Sequence, residues 1–160
     1  MRQPFQVLVY PVRTAGSRWE VLLLRRSASR GGFWQGVTGG VEEEEDLVEA
    51  ARRELYEETG LAPFALEQID YSYSFPVEEE WRHLYAVGVE EVVEHVFLAL
   101  VDGQQEPTIT WEHDNWQWCS FRQALGILTW PGNIEALKRC ERFVKARSPK
   151  TQGTAPEENR

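Results

Sequence analysis

Residues 39–61 read GGVEEEEDLVEAARRELYEETGL, and the rest of the chain is best understood outward from this stretch. From Asp46 onward Leu47, Ala51 and Leu55 recur at every fourth position, which lays an apolar stripe along a helix over residues 46–59. Asp46 with Glu49 three residues later has the form of a capping box, and Gly60 stands where a helix takes a left-handed terminal residue. Glu54, Glu57 and Glu58 then fall at i, i+3 and i+4, so their carboxylates crowd one face. Like charges at this spacing repel, and a hard divalent cation between them removes the repulsion. Mg²⁺ or Mn²⁺ suits the arrangement, because such ions take oxygen ligands and keep water and phosphate in their shell. Arg53 can pair with Glu57 one turn on or reach back to Glu45, holding a carboxylate in place and ionised. Gly39 and Gly40 let backbone come close enough to a metal for a carbonyl to ligate it. A solvated acidic helix is the competing reading, and the run Glu42–Glu45 taken alone favours it.

The flanking sequence supplies a sheet. Phe5–Val12 and Trp19–Leu24 read as two strands of a hairpin, and further strands are expected over 69–76, 83–89, 92–101 and 115–119. Between them FWQGVTGGVE has glycines at 36, 39 and 40 that forbid a helix. Phe121–Leu128 reads as a short helix, and Asn133–Ala146 as a final one with Ile134, Leu137, Cys140 and Val144 inward. Strands with helices on both sides imply an α/β sandwich. Residues 1–147 are expected to form a single domain, and 148–160 (SPKTQGTAPEENR), polar and aperiodic, a disordered tail.

A formal charge of −9 speaks against a nucleic-acid polymer as partner, since binding one takes basic surface. No apolar run approaches membrane-spanning length and the N-terminus lacks a signal-like core, so a soluble cytoplasmic protein is expected. Cys119 and Cys140, far apart and without a CxxC pattern, read as buried reduced thiols. Seven tryptophans leave two uses open, core packing or stacking on a flat ring.

The spacing of Gly39, Glu45, Arg53, Glu54, Leu55, Glu57, Glu58, Gly60 and Leu61 matches the pattern G-x5-E-x7-R-E-U-x-E-E-x-G-U without a gap, U being aliphatic. A chance match is on the order of one in a million or rarer. On these residues the chain resembles the Nudix hydrolases, which cleave diphosphate linkages with water. The resemblance implies a Nudix fold, an α/β/α sandwich around a mixed sheet. It implies that Glu54, Glu57 and Glu58 are metal ligands or the base, with Glu54 and Glu57 catalytic, that the Gly39 carbonyl is a further ligand, and that Arg53 with Glu45 orients them. Glu112-His113 with Trp118 is similar to a family segment that brings a remote acidic ligand, which makes Glu112 the candidate. FWQGVTGGVE, YAVGV at 85–89 and WEHDNWQW resemble the dihydroneopterin triphosphate diphosphatase subfamily, which also acts on deoxynucleoside triphosphates. That likeness implies a small-molecule substrate, with Arg2, Arg25 and Thr38 in contact with it and Trp34, Trp81 or Tyr85 as stacking candidates. Two alternatives stay open: a dinucleoside polyphosphate hydrolase, and a non-catalytic nucleotide-sensing module.

Overall fold

Strand β1 (Phe5–Ala15) is apolar without a break from Val7 to Val12, and the fold explains why: it is covered on both faces. Val7 and Val9 point to one side and pack with Leu22, Leu24, Val37, Ala51 and Leu55. Leu8, Tyr10 and Val12 point to the other and pack with Leu23, Leu98, Phe121, Leu137 and Cys140. The two-residue period of a strand thus divides the interior into two cores.

The computed structural model describes residues 1–147, so the tail expected at 148–160 lies outside the described residues. Along one edge β1 pairs antiparallel with two strands in turn. Its first half meets β4 (Val37–Gly40) and its second half β2 (Arg18–Arg26). Along the other edge it pairs parallel with β6 (Glu91–Leu100), which carries β5 (Ala65–Pro76) antiparallel. Short β3 (Trp34–Gln35) and β7 (His113–Cys119) add to β2. Helix α1 (Leu47–Thr59) covers one face, and α2 (Phe121–Ile127) with α3 (Pro131–Lys145) covers the other. The result is the expected α/β/α sandwich with a mixed sheet.

Helix α1 begins and ends as its sequence requires. The Asp46 carboxylate accepts from the Glu49 amide at 2.8 Å and the Glu49 carboxylate accepts from the Asp46 amide at 2.9 Å. Gly60 closes the helix at φ 73°, a conformation that favours glycine. Ala51 and Leu55 are fully buried, and Leu47 packs at the margin.

One expected strand is absent. Residues 83–89 form the end of a 3₁₀ turn (Glu79–Leu84) and an open segment in which Gly88 takes φ 97°, outside strand geometry. Tyr85 makes one isolated bridge to Arg2, and Leu84, Tyr85 and Val89 instead cover a small apolar cluster with Val77 and Val92. Both cysteines are free and buried, and no helix among the described residues is long and apolar enough to cross a membrane. Because the Asp46 cap satisfies an amide that nothing else reaches, Asp46→Ala is expected to lower stability by about 1 kcal/mol in urea unfolding, with Asp46→Asn retaining most of it.

Candidate active site

Helix α1 turns its glutamates toward a cavity of about 840 Å³, and Arg53 holds them there. Each N–H of this guanidinium is used. Nε and Nη2 grip Glu45 at 2.6 and 2.9 Å, Nη1 reaches Glu54 at 3.0 Å and Glu57 at 3.3 Å, and Nη2 also reaches the Gly40 carbonyl at 3.0 Å. One side chain therefore ties the loop before the helix, strand β4 and two turns of α1 together. Both routes open to Arg53 in the sequence are taken at once. The loop is fixed from the opposite side by Gln3, whose amide donates to the carbonyls of Glu42 (2.8 Å), Glu43 (3.3 Å) and Glu45 (2.7 Å). Gly39 has no room for a side chain, because a Cβ there would coincide with the Glu54 carboxylate.

The electrostatics split these acids into two groups. Its hydrogen bonds with Arg53 hold Glu45 below the usual carboxylate range. Glu54 is raised, chiefly by burial. Glu58 is pushed up to about 9, first by burial and then by neighbouring Glu54. Glu58, Glu112 and His113 offer ligand atoms that all lie within 4.8 Å of one another. Burial drives His113 down to about 4, so at neutral pH its contact of 3.9 Å with Glu58 is not an ion pair, and neither ring nitrogen has a hydrogen-bond partner among the described residues. One buried and one half-buried carboxylate beside an unpartnered imidazole have the donor chemistry of a divalent-cation site, and the cluster can hold such an ion.

The cavity gathers most of the residues singled out in the sequence. Gly39, Arg53, Glu54, Glu57, Glu58, Glu112, Arg2, Thr38, Tyr85 and Trp81 all line it. Glu45 stands behind Arg53. Arg25 and Trp34 lie elsewhere. Leu22 and Leu24 face α1 whereas Val21 and Leu23 face α2 and α3, and the same alternation sends Arg26 toward the glutamates and Arg25 away from them. Arg25 is instead bound to Asp114 at 2.7 Å, and Trp34 packs against the core beneath α2 and α3. The alternation of VLLLRR made this choice readable. Arg30, Gln6 and Trp111 also line the cavity, and no local pattern marked them.

A family model of the NUDIX domain matches residues 2–140. The chain belongs to the Nudix family. It is thus a hydrolase of phosphoric anhydride bonds. It is 37% identical over 133 residues to a Myxococcus xanthus protein named octanoyltransferase, a match covering 83% of this chain but 35% of that protein. The chain therefore spans about a third of that relative's length. Haemophilus influenzae dihydroneopterin triphosphate diphosphatase is 33% identical over 123 residues, covering 74% of this chain and 77% of that protein. The structure of the E. coli dihydroneopterin triphosphate pyrophosphohydrolase superposes with a TM-score of 0.68 at 29% identity, covering 91% of this chain and 97% of that one.

Glu58 makes this Nudix site testable through stability. A carboxyl raised from 4.5 to about 9 on folding favours the fold below its unfolded value, and that contribution is lost as pH climbs through 4.5 toward 9. Added Mg²⁺ is accordingly expected to raise the melting temperature more at pH 8 than at pH 6. Glu58→Gln is expected to melt higher than the parent at pH 8 without metal and to lose most of the Mg²⁺ response, as scanning calorimetry would measure.

Proposed function

We propose that this Nudix hydrolase converts a nucleoside-triphosphate-like substrate, dihydroneopterin triphosphate or a deoxynucleoside triphosphate, to its monophosphate and pyrophosphate with the help of Mg²⁺ or Mn²⁺. One observation carries the reading: the cavity that holds Glu54, Glu57, Glu58 and Glu112 is also lined by Phe75, Val77, Trp81 and Tyr85, so a flat ring and a phosphate chain fit one continuous space. The 33% identity to the Haemophilus influenzae enzyme supports the same substrate class.

Glu54, Glu57, Glu58 and Glu112, with the Gly39 backbone, are the groups that would hold the cation, and His113 stands beside them. When bound, the ion supplies positive charge against the phosphate oxygens and makes a nearby water more acidic. Arg53 keeps Glu54 and Glu57 aligned, with Glu45 as its counter-anchor. Glu54 is the proposed base: one of its oxygens is fixed by Arg53, and its buried carboxyl has the raised proton affinity that accepting a proton from water needs.

Arg26 and Arg30 form the proposed phosphate clamp on the cavity wall, a role that Arg25 cannot fill from the other face. The Arg30 Nε is buried without a hydrogen-bond partner, a donor that a phosphate oxygen would satisfy. Arg2, Thr38 and Tyr85 complete the substrate wall. The two buried free thiols fit a reducing compartment such as the cytoplasm.

Incubation with Mg²⁺ and a panel of dihydroneopterin triphosphate, deoxynucleoside triphosphates, dinucleoside polyphosphates and nucleotide sugars is expected to release pyrophosphate and a monophosphate from the first two classes. Two nucleotides from a dinucleotide, with triphosphates untouched, would refute the assignment. Arg26→Ala should raise KM for the triphosphate roughly tenfold or more, the value of a charged hydrogen bond, whereas Arg25→Ala should stay within about twofold of the parent in steady-state kinetics.

A further inference from the structure

A line of polar side chains, Gln6, Glu94 and Tyr73, crosses three strands beside the cavity. Gly40 of β4 is the register partner of Gln6 of β1, Gln6 of Glu94 on β6, and Glu94 of Tyr73 on β5, so these residues share one face of the sheet. Glu94 is 3% exposed, and burial raises its carboxyl. Its Oε2 accepts from Gln6 Nε2 at 2.6 Å, and its Oε1 is bonded to the Tyr73 hydroxyl. Asn133, at the start of α3, donates through Nδ2 to that hydroxyl at 2.9 Å, so the Tyr73 proton is directed onward to Glu94. Tyr10 in turn donates to the Asn133 carbonyl at 2.9 Å and fixes the helix start.

A buried carboxylate in a sheet is costly, and a leucine would pack there at less expense. What Glu94 achieves is to settle the orientation of an amide. Gln6 lines the cavity. With its nitrogen committed to Glu94, the amide has Oε1 left to present as an acceptor. Phe75 and Val92 are register partners two positions along from Tyr73 and Glu94, on the same face, and line the cavity next to that acceptor.

We propose that Gln6 is a specificity residue that reads an exocyclic amino group on the substrate's heteroaromatic ring through its Oε1, with Glu94 and Tyr73 as positioning residues. The inference rests on the triphosphate reading of the cavity given above. A ring offering an acceptor at that edge would leave two acceptors facing each other and both unsatisfied, which rejects it far more strongly than a change of shape does.

The test compares rings that differ only in the amine: dGTP against dITP, and dATP against the purine deoxyriboside triphosphate that lacks it. For the full chain with Mg²⁺, kcat/KM is expected to favour the amine-bearing member at least about tenfold in one of the pairs, mainly through KM. Gln6→Met, of similar length and without the acceptor, should bring that ratio near one, and Tyr73→Phe should lower it several-fold. A parent ratio near one in both pairs overturns the proposal, as does a ratio that survives in Gln6→Met. If Gln6→Met does not fold, survival of the full ratio in Tyr73→Phe is the overturning result. If no triphosphate is hydrolysed, the triphosphate reading has failed. The amine preference is then decided by Kd for dGMP against dIMP, measured by isothermal titration calorimetry: a tenfold preference that disappears in Gln6→Met supports it and equal binding overturns it.

Discussion

The guanidinium of Arg53 is the interaction on which the site depends. Four carboxylates converge from α1 and its preceding loop, and Arg53 is a positive charge that lies among three of them. Its planar fork does more than neutralise. By spending all five N–H groups on Glu45, Glu54, Glu57 and the Gly40 carbonyl, it converts three separate chain segments into one rigid unit. A lysine could supply the charge but not the directions. Glu58 lies beyond its reach, and that is the acid left with a strongly raised proton affinity. Arg53 secures the frame, and Glu58 with Glu112 and His113 lies outside it as a cluster that can hold a cation.

The architecture delivers the remaining groups through simple periodicities. Helix α1 buries Ala51 and Leu55 on the sheet, Glu54 and Glu57 rise beside that stripe, and Glu58, seven residues after Ala51, continues the stripe and is itself buried. Strand β2 alternates between two cores, and that alternation separates two adjacent arginines into one that faces the acids and one that pairs with Asp114 on the far side. The register of β1 with β4 and β6 then places Gln6 between Gly40 and Glu94. None of these placements needs a special conformation. They follow from counting residues along elements whose pairing is fixed by buried Val and Leu.

Those periodicities also mark what was legible in the sequence. Helix α1 was readable to its caps, because caps, stripe and glutamate spacing are local features and the box spacing was ungapped. Glu112 came from its position beside His113 and ahead of Trp118, and it lies beside Glu58. The segment 83–89, apolar enough to resemble a strand, is not one because its apolar residues serve a small separate cluster and Gly88 takes φ 97°. The family resemblance points to Arg25, whereas the alternation through Leu22 and Leu24 points to Arg26, which lines the cavity. Gln3, Gln6 and Arg30 could not be found locally. Gln3 acts across 39 to 42 residues of sequence, Gln6 across 88, and Arg30 reaches Glu112 at 3.9 Å, through partners that only the folded sheet and its loops bring near.

Glu58 and Glu94 show how one residue type is buried for two ends. Both are almost inaccessible and both are raised by burial, but their surroundings differ. Glu94 is surrounded by donors, Gln6 on one oxygen and Tyr73 on the other, and its charge is spread into a neutral network that needs no ion. Glu58 stands beside Glu54, Glu112 and an imidazole without hydrogen-bond partners, and the field of Arg26 offsets its burial only in part. A carboxylate among donors fixes geometry; one among acceptors recruits a cation. The two lie on opposite sides of the sheet, one set by α1 and one by the face under α3, and Glu58 and the Glu94 partner Gln6 line the same cavity. On the proposed reading, reaction chemistry and ring selection fall to separate layers of the same sandwich, and a change in Gln6 would alter which ring is accepted without moving the frame that Arg53 holds.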